Sequence, residues 1–347
     1  MNFYTKEHLF YCGVDLHTRS MYICVLDRSG RIVLHRNLPT EPKRFLDAIV
    51  PFRQDIVVCA ECMFSWYWLA DLCAKESIPF VLGHALYMRA IHGGKAKNDK
   101  IDSHKIAALL RGGMIPQAYV YPAEMRATRD LLRRRNYLVR KRADLLSHIQ
   151  NTNSQYNLPE FGRKIACRSH RSGVAEHFPD PSVQLSIHTD LELIDHYDTL
   201  LGKLELFVLQ NARDHDPGAL HLLQTVPGIG KILSLVILYE IGEIKRFPRV
   251  GQFVSYARLV ACAKESAGKK HGTSGRKIGN MHLKWAFSEA AVLFLRKNPQ
   301  GMKYKKRLEQ KYGKSKALSI LAHRLGRATY YVLKRQKAFD MKRFLSS

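Results

Sequence analysis

The sequence predicts two fold types in one chain: an α/β N-terminal domain, with a mixed sheet flanked by helices, and a mainly α C-terminal domain, joined by a long helical, coiled-coil-like connector. Three observations predict this. Short apolar runs separated by turn residues crowd residues 10–82. Helical spacing of apolar residues replaces them further along. The length of 347 residues also exceeds what one hydrophobic core usually organises.

Taken in order, residues 10–15 are apolar and end on Asp15, residues 21–26 follow a short polar turn, and Arg28-Ser29-Gly30 is turn chemistry before a third run, residues 31–35. Glu41 to Phe52 has helical spacing. Residues 55–61 form a buried strand that again ends on an acid, Glu61. A helix over 64–75, a fifth strand at 79–82 and a helix over 100–113 complete the first part. Hairpin-linked strands followed by alternating helices and strands build a mixed sheet covered by helices. Residues 124–157 read as one long basic helix, with eight Lys/Arg and one acid, Asp130, between Arg126 and Arg142. Residues 151–186, rich in Ser, Pro, Gly, His and Arg, read as a linker. A second amphipathic helix runs from Ile187 to Arg213, and 217–340 is helical in pattern. The expected domains are therefore 1–120, 121–214 and 215–347.

Composition narrows the function. Lys+Arg number 56 against 30 Asp+Glu, a net charge of +26. Such an excess points to a polyanion, with nucleic acid favoured because cations on phosphates release counterions. A membrane partner is not expected, since no apolar run approaches a spanning length, and the first ten residues carry no signal-peptide core. Seven scattered cysteines read as reduced thiols of a cytoplasmic protein. Cys59 and Cys62 form a lone CxxC in a strand-like run and are read as core rather than a zinc site.

Four acids stand out by position. Asp15 and Glu61 close two strands, while Asp99 and Asp102 lie at the start of a helix, three residues apart and so on one face. Phosphoryl transfer needs phosphate charge neutralised and a nucleophile activated, and two Mg²⁺ ions about 3.5–4 Å apart supply both. Mg²⁺ takes oxygen ligands, so clustered carboxylates suit it. Acids at strand ends are also ordinary turn residues, and Asp99 is a candidate N-cap. His17 and His104 lie nearby and are read as structural.

In the C-terminal part, Val226-Pro227-Gly228-Ile229-Gly230-Lys231 sits between helical patterns. Such a turn either brings backbone N–H groups close to a phosphate, as in a helix-hairpin-helix, or simply connects two helices. Residues 264–280 mix small residues, hydroxyls and cations in an expected loop, with Ser266 and Ser274 as possible nucleophiles. A serine attacking a phosphodiester forms a covalent link that conserves bond energy for rejoining. Expected phosphate contacts are Arg126, Arg133, Arg134, Arg140, Gly228, Gly230, Lys231, Lys269, Lys270 and Arg276.

With these residues in view, the sequence resembles transposases that have a RuvC-like DEDD N-terminal domain of ribonuclease-H type and a serine-bearing C-terminal domain, the bridge-RNA-guided recombinases of bacterial insertion sequences. The matching stretches are Gly13-Val14-Asp15-Leu16-His17, Glu61, Asn98-Asp99-Lys100-Ile101-Asp102, Val226-Pro227-Gly228-Ile229-Gly230, and Arg246-Phe247 through Gln252-Phe253 to Glu265-Ser266-Ala267-Gly268. They fall within roughly 10–115 and 215–335; the basic middle segment matches only in character. The resemblance implies that Asp15, Glu61, Asp99 and Asp102 hold Mg²⁺ and that Ser266, rather than Ser274, is the nucleophile. It implies a structured noncoding RNA that pairs with donor and target DNA. It implies homo-dimers or tetramers, with acids and serine meeting from different subunits, at work on the nucleoid. The alternative expectations are a RuvC-like, structure-specific endonuclease using water as nucleophile, and a nucleic-acid-binding protein without activity.

Overall fold

The computed structural model describes residues 2–91, 98–274 and 278–346. They form two compact units, Met1–Ala123 and Glu124–Ser347.

The first unit is built on strands β1 (Phe10–Leu16), β2 (Ser20–Asp27), β3 (Ile32–Pro39), β4 (Ile56–Glu61) and β5 (Phe80–Gly83), in the order β3-β2-β1-β4-β5. β1, β2 and β3 pair antiparallel, whereas β4 and β5 run parallel to β1, so the sheet is mixed as the pattern predicts. Strand alternation sorts the side chains to two faces. Cys12, Val14, Val58 and Ala60 pack on one face against helices α1 (Pro42–Ile49) and α2 (Tyr67–Lys75) through Phe45, Ile49, Leu69 and Cys73. Tyr11, Val57 and Cys59 point the other way, toward Met88 of helix α3 (Ala85–Ile91) and toward Ile106, Leu109 and Leu110 of helix α4 (Asp99–Arg111). Helix α3 has no counterpart in the sequence reading. Cys59 is buried as expected, but Cys62 lies just past the end of β4 and is exposed, so the CxxC is not wholly core.

Gly13 sets how closely α4 lies on the sheet. A Cβ at this position would stand 2.3 Å from the Ser103 carbonyl oxygen and 2.4 Å from the Ala107 nitrogen. Only a residue without a side chain lets the α4 backbone cross β1 here.

The second unit is helical apart from one hairpin. Two long helices, α5 (Ala123–Gln155) and α6 (Pro181–His215), run antiparallel, as the cross-helix pairs Arg135–Glu205, Arg142–Asp198 and His148–Asp190 require. The pairing is thus within one chain. The segment between them is more than a linker. Ile165, Val174, Ala175 and Phe178 bury against Ile149, Ile187, Leu191 and Ile194, and the buried Arg171 binds Asp195 and Asp198. These few apolar residues are too widely spaced to show a period, which is why the composition reads as a loop.

Helices α7 (Pro217–Gln224), α8 (Lys231–Ile241), α9 (Val250–Tyr256), α10 (Met281–Phe294), α11 (Pro299–Tyr312), α12 (Lys314–Arg335) and α13 (Met341–Ser346) form the rest. Every residue from Leu233 to Ile241 is buried, so α8 is the centre of this bundle. The turn before it is set by packing: Gly228 has φ +86°, and a Cβ there would meet the Ala290 oxygen at 2.5 Å and the Phe294 nitrogen at 2.6 Å, both backbone atoms of α10. Strands β6 (Cys262–Ser266) and β7 (Lys269–Ser274) pair antiparallel where the sequence predicts a loop. Among the described residues, no helix is long and apolar enough to cross a membrane.

Candidate active site

The site begins with the register of the sheet. β1 and β4 run side by side with Gly13 opposite Cys59 and Val14 opposite Ala60. One further step brings Asp15 level with Glu61. Parity puts both on the face that carries α4.

Helix α4 then brings the second pair of acids. Asn98, not Asp99, is its N-cap, accepting a hydrogen bond from the Ile101 N–H at 2.8 Å. Asp99 and Asp102 therefore sit in the first turn, where a negative charge is favoured by the helix dipole. The close crossing over Gly13 carries this turn toward the C-terminal end of β1.

At that end His17 bridges two of the acids. Its Nε2 is 3.4 Å from Asp15 Oδ2 and 3.6 Å from Asp99 Oδ1. Ligand atoms of Asp15, His17 and Asp99 all lie within 4.8 Å of one another. Glu61 and Asp102 stand outside this tight group; Asp102 Oδ1 is 3.5 Å from Lys105 Nζ. Burial raises the Asp15 pKa; His17 opposes this, while Asp99 and Asp102 add to it. Among the described residues neither Asp15 nor Asp99 has a Lys or Arg within 4 Å; each has His17. Two carboxylates and an imidazole, close together and without a fixed cation, are a donor set that fits a divalent metal. Of the four predicted acids, the structure brings Asp15 and Asp99 together, and it adds His17. The one signal for His17 in the sequence is its place two residues after a strand-ending acid.

In the second unit, Ser266 is exposed at the end of β6. It pairs in register with Lys269 across Ala267 and Gly268, whose φ values of 48° and 72° are both positive, as a two-residue type I′ turn demands. The serine thus stands at a hairpin tip. The stems of this segment are clamped below: the Asn280 N–H donates to the Tyr256 oxygen at 2.6 Å and Arg258 Nε to the Ile278 oxygen at 2.9 Å. The side chains of Lys270 and Ser274, and Arg276 entirely, lie outside the described residues.

The expected phosphate contacts on α5 divide. Arg134 and Arg140 are exposed, with Arg134 5.0 Å from the centre of the exposed Tyr137 ring. Arg126 is buried. Arg133 turns inward to Glu240, with its Nε 2.6 Å from Oε1, and Arg129 Nε is 3.1 Å from Oε2 of the same carboxylate. Arg126 is withdrawn from solvent and the guanidinium of Arg133 is held by Glu240, whereas Arg134 and Arg140 are exposed. Asn280 Nδ2 also donates to Glu240, at 2.7 Å. Gly230 and Lys231 are exposed at the start of α8, and Lys269 is exposed in the hairpin.

Carboxylates meeting at the end of a central strand of a mixed sheet, in a chain of strong basic excess, fit an enzyme that transfers DNA strands. A DEDD transposase model of the IS110 type, described as "Transposase", matches residues 12–157, and one described as "Transposase IS116/IS110/IS902 family" matches residues 220–306. The chain belongs to the IS110/IS116 family of insertion-sequence transposases. It is 22% identical, over 94% of its length and 90% of the relative's, to the transposase for insertion sequence element IS1111A of Coxiella burnetii. It is 29% identical to the pilin gene-inverting protein of Moraxella bovis, over 46% of this chain and 51% of that one. An uncharacterised 43.6 kDa protein of insertion element IS110 from Streptomyces coelicolor is 30% identical over 32% of this chain and 27% of its own.

Proposed function

We propose that this transposase cuts and rejoins DNA with Asp15, Glu61, Asp99 and Asp102 as holders of Mg²⁺, two ions in the full site, and Ser266 as the attacking group. One observation supports it above the others: Asp15, His17 and Asp99 meet at the end of β1 with no described Lys or Arg to neutralise them. When bound, the metal supplies charge neutralisation at the scissile phosphate. Asp15 is held by the sheet and Asp99 and Asp102 by the first turn of α4, so the acids keep fixed spacing. His17 lies between Asp15 and Asp99 and orients both. Ser266 Oγ loses its proton and forms a bond to phosphorus as the bond to the 3′ oxygen breaks and that oxygen takes up a proton. A 3′-hydroxyl from the exchanged strand attacks the same phosphorus and releases Ser266, so each bond broken is matched by one formed.

Around this centre Arg134, Arg140, Gly230, Lys231 and Lys269 contact phosphates, the turn at 226–230 acts as the hairpin of a helix-hairpin-helix, and α5 with α6 serves as the coiled-coil connector. A structured noncoding RNA selects the DNA, and the acting species is a homo-dimer or tetramer. The test is strand cleavage with Mg²⁺ and then with EDTA, comparing wild type with Ser266→Ala on end-labelled DNA. The expected result is a covalent protein–DNA adduct in Mg²⁺ that is lost both with EDTA and with the variant. Cleavage that persists in Ser266→Ala with no adduct overturns the serine and leaves a nuclease using water.

A further inference from the structure

Much of the most basic run of the sequence is engaged by partners within the protein. Of the eight cations between Arg126 and Arg142, Arg129 and Arg133 hold Glu240, Arg135 holds Glu205 and Arg142 holds Asp198. Arg126 is buried. Arg134 and Arg140 stay exposed, and a second surface carries a denser share of the net charge of +26.

That surface is α11 and the start of α12. Residues 296–316 contain nine Lys/Arg and one acid, Glu309, which pairs with Lys305 at 3.1 Å. The inner face of α11 is fixed by Gly301, Tyr304 and Leu308, which are buried against the bundle. Arg324 of α12 stacks on Tyr304, 4.8 Å from the ring centre, and hydrogen-bonds its hydroxyl. The outer face presents Lys303, Lys306, Arg307 and Lys311, all exposed, at helical spacings of three and four. Lys314 and Lys316 extend it across Gly313. Among the described residues none of these six has a carboxylate within 4 Å, in contrast with Arg129, Arg133, Arg135 and Arg142 of α5. From Lys303 to Lys311 the row spans about 12 Å on one rigid element, long enough for successive phosphates of one strand. Its C-terminal half, with the start of α12, lies beyond the stretch that matches the family model.

We propose that the outer face of α11, continued by the first turn of α12, docks the phosphate backbone of duplex DNA without reading its sequence. Cations held on a helix and free of internal partners give affinity by counterion release, which makes binding steeply salt-dependent. This rests on the chain acting on DNA and is independent of the metal and of Ser266.

The test measures binding of the full chain to a random-sequence duplex in EDTA, so that no cleavage intervenes, over a series of salt concentrations. The variant is Lys303→Gln, Lys306→Gln, Arg307→Gln and Lys311→Gln together; thermal unfolding checks its fold. The expected result is an unchanged melting temperature and a slope of log affinity against log salt shallower by roughly 2–4. Lys306→Arg with Lys311→Arg, which keeps the charge, retains the wild-type slope. An unchanged slope overturns the proposal, as does a loss confined to single-stranded RNA of equal length. A DNA slope that falls while Ser266→Ala still cleaves supports this surface and overturns only the serine.

Discussion

Two acidic centres in this chain, one in each unit, are treated in opposite ways. Glu240 in the second unit is 2% exposed, and burial alone would raise its pKa. Arg133, Arg129 and Asn280 overcome that and bring it down to about 2. Asp15 in the first unit is half-buried, and its pKa moves up, because burial and the neighbouring Asp99 and Asp102 outweigh His17. A carboxylate that serves the fold is given cations from its own chain. One left with like charges and a histidine holds unspent charge, which is costly to the fold and of use only to something that binds there.

The contrast is most sharply tested by Asp15→Asn. Under the proposed function, strand cleavage should fall on the order of 10³-fold or more. The variant should melt at or above the wild-type temperature, because the removed charge is one the folded state disfavours. Residual cleavage with a lowered melting temperature would make Asp15 a structural acid. Glu240→Ala should do the reverse. It leaves two guanidiniums around an empty carboxylate position, and unfolding by denaturant should show a loss of roughly 3–5 kcal/mol. A loss below about 1 kcal/mol would mean that this network does little for the bundle.

Smaller effects sharpen the same comparison. Gly13→Ala forces α4 away from β1 and should cost about 1–3 kcal/mol. It should also weaken the rise in melting temperature caused by Mg²⁺ or Mn²⁺, since Asp99 moves with the helix. An unaltered metal response would separate α4 placement from the site. The smallest effect is in acid. Glu240 has a folded pKa below its unfolded value, so its stabilisation is complete above about pH 4.5 and is lost as pH falls toward 2. The stability gap between wild type and Glu240→Gln should narrow over that window in pH-dependent unfolding. A gap that holds steady would assign the effect to shape rather than charge.

Much of the first unit was readable from local pattern. Strands of the β1 and β4 type announce themselves as apolar runs between turns, and the Asp99–Asp102 spacing needs only helical geometry. What stayed hidden depends on pairing across long stretches of chain. Arg133 looks like a phosphate ligand until Glu240, 107 residues away, is placed beside it. His17 looks incidental until α4 delivers Asp99 to its far side. The Ser266 hairpin carries no apolar alternation, so its two positive-φ residues, Ala267 and Gly268, were the available sign. Only one of the two is a glycine, so the sequence reads as loop there.

The α5–α6 pair has a mechanical consequence. Its root is buried with the bundle through Met125, Leu132, Val208 and Ala212, and its far end has a separate core around Ile149 and Phe178. With 33 residues in α5, the arm is about 50 Å long, and a 10° tilt at the root sweeps its tip through roughly 9 Å. Arg129 and Arg133 join that root to Glu240 of α8, and Asn280, the N-cap of α10, donates to the same carboxylate on the C-terminal side of the serine hairpin. Whatever grips the tip therefore has leverage on the bearing from which the hairpin hangs.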